Sequence, residues 1–324
     1  MKISLIGSFN LAHGYLGAAE ALRRSGHDVD FIPAHLYKSE HPKEHVDKIL
    51  EDLKDQKPEL ILWWRAETLN PLELRKVRNE IEGKFILYSW DDPFQWEKHM
   101  DMSGKCKSLD IAFTCCMDSI KNYESNGCRG VYCPPGFDPS VHYSDFDEEY
   151  ACDISLVCTN LYHGTYLTKF PHVSRKDLCD WIIDRFPNFD FRIYGVEDLG
   201  KLYPKYYRGW LDFEKTRKVF SSSKINLCTH IRPDGDMYIN ERVCQVLGSG
   251  GLLMVDGVRG IEKVLQPNKE CVIMDLRSQQ TFLEQIKNIV TRYETFEYIK
   301  DYGLKKALKD FTWDNWAKTI IENL

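Results

Sequence analysis

The chain has 324 residues, 43% hydrophobic and 28% charged, with a formal net charge of -6. These values exclude a disordered or fibrous chain and leave room for two domains, since single cores stop growing near about 250–300 residues. The acidic balance also argues against a chain built to coat nucleic acid, although a local basic cleft could still hold a phosphate ligand.

The N-terminal stretch MKISLIGSFNLAHGYLG carries a single Lys, and its apolar run breaks within a few positions. It reads as a first strand rather than a signal peptide. No apolar stretch approaches the ~18 residues of a membrane span, so no transmembrane segment is expected. The cysteines number eleven, an odd count scattered through apparent strands and helices, and point to a reducing, cytoplasmic setting. HPKEH, from His41 to His45, matches a reversed zinc pattern but sits in a polar stretch with a Pro inside it. No metal is expected.

ISLIG is followed by a helix with Leu16, Ala19 and Leu22 on one face, stopped by Gly26. HDVDFIP then alternates as a strand. Val46, Ile49, Leu50 and Leu53 share a helical face ahead of ELILWW. Asn70 and Pro71 form the cap and first position of a helix carrying Leu74, Val77 and Ile81, closed by Gly83. FILYSW, DIAFTCC, a helix after Asp118 ending at Gly127, and GVYCPP complete six strand candidates interleaved with helices. That alternation implies a mostly parallel, doubly wound sheet.

The stretch from PPGFDP to ACD is rich in Pro and acidic residues and lacks periodicity, placing a domain boundary near Glu148. Beyond it come DISLVC, a helix with Ser174 and Asp177 as a capping box, FRIYG, a helix capped by Asp212, KINLCTH, a helix beginning near Tyr238, GLLMVD and CVIMD. In the Ser174 helix, Leu178, Trp181, Ile182 and Phe186 share a face. From Ser278 the chain reads as helical. Its last stretch puts Trp313, Trp316, Ala317, Ile320, Ile321 and Leu324 on one stripe, which packs across the domain junction or on its own domain. The expected domains are residues 1–148, 149–305, and a closing helix at 306–324 that could cross back to the first domain.

Ligands of open α/β sheets bind outside the carboxyl ends of the strands, so loops after strands hold the candidate residues. GSFNLAHGY has Gly7, Gly14 and Gly17 but not the spacing of a dinucleotide fingerprint, and His13 there is either a cleft contact or a surface histidine. YSWDDP offers Asp91 and Asp92, which either cap a turn or grip a sugar hydroxyl. CTHIRPDGDMY brings His230, Arg232, Asp234 and Asp236 into one loop, either solvated or in contact with ligand. If the next helix begins near Tyr238, Asn240, Arg242 and Gln245 lie in its first turns. Its backbone N–H groups then favour a diphosphate, and Arg242 adds a planar donor fork. The alternative leaves Arg242 and Gln245 on an exposed face.

SKINLCTH followed by NERVCQVLGSGGLLMVD resembles the donor-side signature of retaining GT-B glycosyltransferases, in the spore-maturation-like branch near glycosyltransferase family four. Ser223, Lys224, Asn240, Arg242 and Gly250 match that pattern. YSWDDP is similar to the family's Trp/Asp/Pro loop, and GVYCPPGFDPSVHY resembles the segment crossing from acceptor domain to donor domain. Where the family has a Glu holding the donor ribose this chain has Gln245, and the position of its earlier partner is Met237.

The resemblance implies a GT-B architecture, two doubly wound Rossmann-like domains facing across a cleft, with the closing helix near the junction. It implies a metal-independent, retaining transfer of a hexose such as mannose or glucose from a GDP- or UDP-sugar to a glycan or other hydroxyl acceptor. Base and ribose are expected near Tyr194, Gly195, Arg208, Trp210 and Gln245. The diphosphate falls to Arg242, with Arg175 or Lys224, and contacts to the sugar to Asp234, Asp236 or Glu241, alongside Asn240. On the acceptor side, Asp91, Asp92 and His13 are the expected residues. Two other readings are a catalytically idle nucleotide-sugar-binding or scaffold protein, marked by Gln245, and an NAD-dependent oxidoreductase, marked by Asp30.

Overall fold

The computed structural model describes residues 1–9, 14–65, 67–96, 100–161, 173–231 and 233–324. They form two compact units, Met1–Gly136 with Trp313–Leu324, and Phe137–Thr312. The sequence boundary near Glu148 therefore falls inside the second unit. The stretch ahead of it lacks periodicity because it is pinned from outside: Phe137 N–H donates to the Phe311 carbonyl at 2.8 Å, Asp145 N–H to Ser221 Oγ at 3.0 Å and Asp147 N–H to Ser222 Oγ at 2.8 Å.

In the first unit the order is β1 (Lys2–Gly7), α1 (Gly14–Arg24), β2 (Asp28–Ile32), α2 (Ala34–Glu40), α3 (His45–Gln56), β3 (Leu60–Trp64) and α4 (Pro71–Glu80). Then follow β4 (Lys84–Ser89), α5 (Met102–Cys106), β5 (Ile111–Thr114), α6 (Met117–Ser125) and β6 (Arg129–Tyr132). The six strands pair in parallel in the order β2-β1-β3-β4-β5-β6, so the direction of winding reverses between β1 and β3. Both faces are covered, which is why the strands read as apolar runs. Along β3, Leu60, Leu62 and Trp64 enter one core layer while Ile61 and Trp63 enter the other.

Local chemistry sets the helix ends. Asn70 Oδ1 accepts from the Leu72 and Glu73 N–H groups, and Glu73 reaches back to the Asn70 N–H, so α4 starts as the sequence predicts. Leu16 differs from expectation: it is 41% exposed, while Ala18, Ala19, Ala21 and Leu22 make the buried face of α1. The last helix, α13 (Trp313–Glu322), covers α1 in this first unit. Trp313, Trp316, Ala317 and Ile320 complete the core layer that contains Leu5, Trp64 and Tyr88.

The second unit contains β7 (Cys152–Cys158), α7 (Arg175–Arg185), β8 (Phe191–Gly195), α8 (Glu197–Leu202), α9 (Thr216–Ser222), β9 (Ser223–Cys228) and α10 (Glu241–Gly248). It continues with β10 (Leu253–Val255), β11 (Val272–Ile273), α11 (Gln279–Thr291) and α12 (Glu297–Asp310). Its five strands are again parallel, in the order β11-β10-β9-β7-β8, with the reversal between β7 and β9. The Ser174 capping box is present. Asp212 precedes a short 3-10 turn and makes no side-chain cap, so α9 begins at Thr216 without it.

Candidate functional site

The winding reverses between β7 and β9, and the carboxyl edge of the second sheet at such a reversal is the place where such folds take ligands. Arg175, the first residue of α7, spans it and is only 3% exposed. Its Nη1 donates to the Asn160 carbonyl beyond β7 at 2.8 Å. Its Nε and Nη2 donate to Thr229 Oγ1 and the Thr229 carbonyl beyond β9, at 2.7 and 2.9 Å.

Helix α10 begins at Glu241 rather than near Tyr238, because Asn240 is its cap: Asn240 Oδ1 accepts from the Val243 N–H at 3.3 Å. Asn240 Nδ2 donates to the Thr229 carbonyl at 3.1 Å, tying the helix start to the end of β9. Asn240 thus works as a fastener, with its amide oxygen and nitrogen both engaged. Arg242, in the first turn, is half-buried. Burial pushes the Cys228 thiol up to about 11; the Arg242 guanidinium opposes that, Asp256 adds to it, and Arg175 opposes it again. Both guanidiniums therefore act on one buried thiol at the end of β9.

Asp256, just past β10, is 5% exposed and grips His230, which is 2% exposed. One carboxylate oxygen accepts from the His230 N–H at 2.8 Å and the other meets Nδ1 at 2.5 Å. Gln245 is also buried, at 8%. Asp234 and Asp236, on the approach to α10, and Glu241, its first residue, are half-buried, with Asp236 3.8 Å from Arg259.

Other expected residues lie elsewhere. Lys224 is at the amino end of β9, ion-paired with Asp153 at 2.8 Å, roughly 13 Å of strand from Cys228. It is a fixture of the opposite edge of the sheet and cannot share a phosphate with Arg242. Tyr194 is buried, its hydroxyl pKa pushed up chiefly by burial, with Arg192 working the other way. Gly195, by contrast, is required at its position: φ is +147°, and a Cβ would sit 1.8 Å from the Cys158 carbonyl oxygen. Arg208 is exposed and turned back to the Lys205 and Tyr207 carbonyls, while Trp210 stands 61% exposed beside it. His13 and Arg232 lie outside the described residues. Asp30 lies in the middle of β2, 3.9 Å from Lys2, not at the strand end where a dinucleotide ribose would need it.

At the carboxyl edge of the first sheet, Asp91 is half-buried, its carboxylate 3.5 Å from Arg65. Arg65 also pairs with Glu67 at 2.6 Å and lies 5.2 Å from the Trp90 ring. Its φ of +71° is uncommon for a side chain of this size, and such backbone gathers at functional positions. Asp92 is 1% exposed and accepts from the Phe94 N–H at 3.1 Å, so it shapes the turn. Thr229, Asp256 and Arg65 were not singled out from the sequence; each stands one position past a parallel strand, the signal that could have found them.

Residues 175–322 match a family model described as glycosyl transferase-like. No curated protein matches the chain by sequence. Among solved structures, the sucrose-phosphate synthase of Thermosynechococcus elongatus is similar with a TM-score of 0.76 at 11% identity, covering 99% of this chain and 98% of its own. HepE of Anabaena, in complex with UDP-glucose, gives 0.71 at 10% identity, covering 100% and 99%. An alpha-glucosyltransferase in complex with UDP-glucose and DNA containing an abasic site gives 0.69 at 12%, covering 100% and 99%. Residues 175–322 thus carry a glycosyl transferase-like match, and the chain as a whole has the GT-B fold.

Proposed function

We propose that the chain is a retaining, metal-independent hexosyltransferase whose donor is a nucleoside-diphosphate sugar bound by the second unit. The observation that carries this is the pair of guanidiniums, Arg175 and Arg242, acting on Cys228 at the winding reversal, each from the first turn of a helix. Breaking the bond from the anomeric carbon to the phosphate leaves negative charge on the diphosphate. Helix amino ends and arginines stabilise that charge as it develops. The acceptor oxygen bonds the anomeric carbon on the face the phosphate leaves, and its proton passes to a phosphate oxygen, so no side-chain nucleophile is consumed.

Uridine is the favoured base, because HepE and the alpha-glucosyltransferase are each described in complex with UDP-glucose; guanosine is the alternative. The acceptor is a glycan or other hydroxyl compound, with Asp91, held by Arg65, as the carboxylate that orients it. Cytoplasmic residence fits eleven free, buried cysteines, and no helix among the described residues is long and apolar enough to cross a membrane.

Isothermal titration with UDP and GDP, together with hydrolysis of UDP-glucose and GDP-mannose, tests this. The Arg242→Ala protein should fold normally and lose at least about tenfold in affinity for the preferred diphosphate, the worth of one charge-assisted contact. EDTA should leave turnover unchanged. An Arg242→Ala protein that binds and turns over like the wild type overturns the assignment. Binding without turnover of either donor favours the idle-binder reading, for which the uncharged Gln245 speaks.

A further inference from the structure

The buried His230–Asp256 pair has no assigned role in the reading above. Asp256 holds His230 twice, through the backbone N–H at 2.8 Å and through Nδ1 at 2.5 Å. That grip places a proton on Nδ1 and directs the ring. The other ring nitrogen, Nε2, is enclosed and has no hydrogen-bond partner among the described residues. Burying a polar atom without a partner is costly, so a ligand that supplied one would be favoured.

The location suggests that use. His230 follows Thr229, whose carbonyl is shared by Arg175 and Asn240, and its ring lies 5.3 Å from that of Tyr238 in the segment leading to α10. The unpartnered nitrogen thus sits among the residues that surround the proposed diphosphate position. We infer that His230 is a donor-site residue whose Nε2, carrying a proton when ligand is bound, donates a hydrogen bond to an oxygen of the nucleoside diphosphate. The inference rests on the proposed function. Because Nε2 is enclosed, the contact requires neighbouring side chains, the Tyr238 ring among them, to shift as the ligand enters. Asp256 is then a positioning residue: it fixes the ring and balances the imidazolium charge.

The two nitrogens can be separated by substitution. The amide of Asn reaches the place of Nδ1 and keeps the bond to Asp256; the amide of Gln reaches towards Nε2. Isothermal titration of the full chain with UDP and GDP should show His230→Asn weakened about tenfold or more, with an unchanged melting temperature. His230→Gln should recover most of that affinity. A His230→Asn protein that binds as the wild type overturns the role of His230 alone. A wild-type protein that binds neither nucleotide overturns the donor-site reading and this inference with it. Should His230→Asn fail to fold, ¹⁵N NMR of the labelled wild type decides: the Nε2 resonance moves on addition of UDP, or it stays and the inference falls.

Discussion

His142 shows how a side chain without a catalytic part still governs behaviour. It is 1% exposed, its Nε2 lies 3.1 Å from Thr216 Oγ1, and that hydroxyl already donates to the Phe213 carbonyl at 2.6 Å. Nε2 must therefore carry the proton, leaving Nδ1 bare and enclosed. Burial, and then the Arg217 charge, bring its pKa down from 6.5 to about 4, with Asp138 working the other way. An unfolded chain takes up a proton below pH 6.5 that the native fold refuses until about pH 4, so this residue contributes stability at neutral pH that is lost as pH falls across that window. The full difference is on the order of 3 kcal/mol. His142→Gln, which keeps the donor to Thr216, should show a smaller drop in urea midpoint between pH 7 and pH 4.5 than the wild type. Equal drops would remove His142 from the acid sensitivity.

Residue identity alone was informative where a rule is local. The caps at Asn70 and Ser174 act within a few positions, so the sequence displays them. Arg175 is different. The sequence offers it as one of several cations, and only the winding of the sheet brings Asn160 and Thr229 to opposite sides of its guanidinium. Lys224 matches a family pattern as well as Arg242 does. Strand direction separates them, since a lysine at the amino end of β9 serves the other edge.

At the scale of elements, α13 is the clearest dependence. Trp313 rests on Gly17 of α1 so closely that a Cβ there would lie 2.4 Å from its ring, and it shares a core layer with Trp64 and Trp316. Apolar periodicity reveals that such a helix needs a large groove, but not which groove, because the partner is nearly the whole chain away in sequence. Trp313→Ala should destabilise the first unit by about 3–5 kcal/mol, as large aromatic truncations in cores do. Thermal unfolding followed by circular dichroism checks this, and an unshifted midpoint would mean that α13 contributes little. The start of α10 was misread for a related reason: Tyr238 and Ile239 are apolar and buried, yet the helix waits for the cap at Asn240.

For the whole molecule, the fold was largely legible because parallel sheets covered on both faces leave apolar runs at regular intervals, with helices between them. The division between units was less so, since hydroxyl caps from Ser221 and Ser222 hold the stretch before Glu148. The two units can be followed separately by their thiols. Cys106, Cys115, Cys116, Cys128 and Cys133 lie in the first; Cys152, Cys158, Cys179, Cys228, Cys244 and Cys271 lie in the second, and all are buried. Pulsed alkylation near the unfolding midpoint, read by mass spectrometry, should show saturating UDP protecting the second group and leaving the first unchanged, because a ligand stabilises what it binds. Protection of the first group alone would move the nucleotide to the other unit.

The chain leaves its first unit at Gly136 and comes back at Trp313, and the two ends of the inserted unit are stitched by the bridge between Phe137 and Thr312. Domains tend to fold in the order in which they are synthesised. Here that order is crossed: translation must finish every residue of the second unit before α13 exists to close the hydrophobic face laid down at the beginning. The half begun first is thus the half finished last.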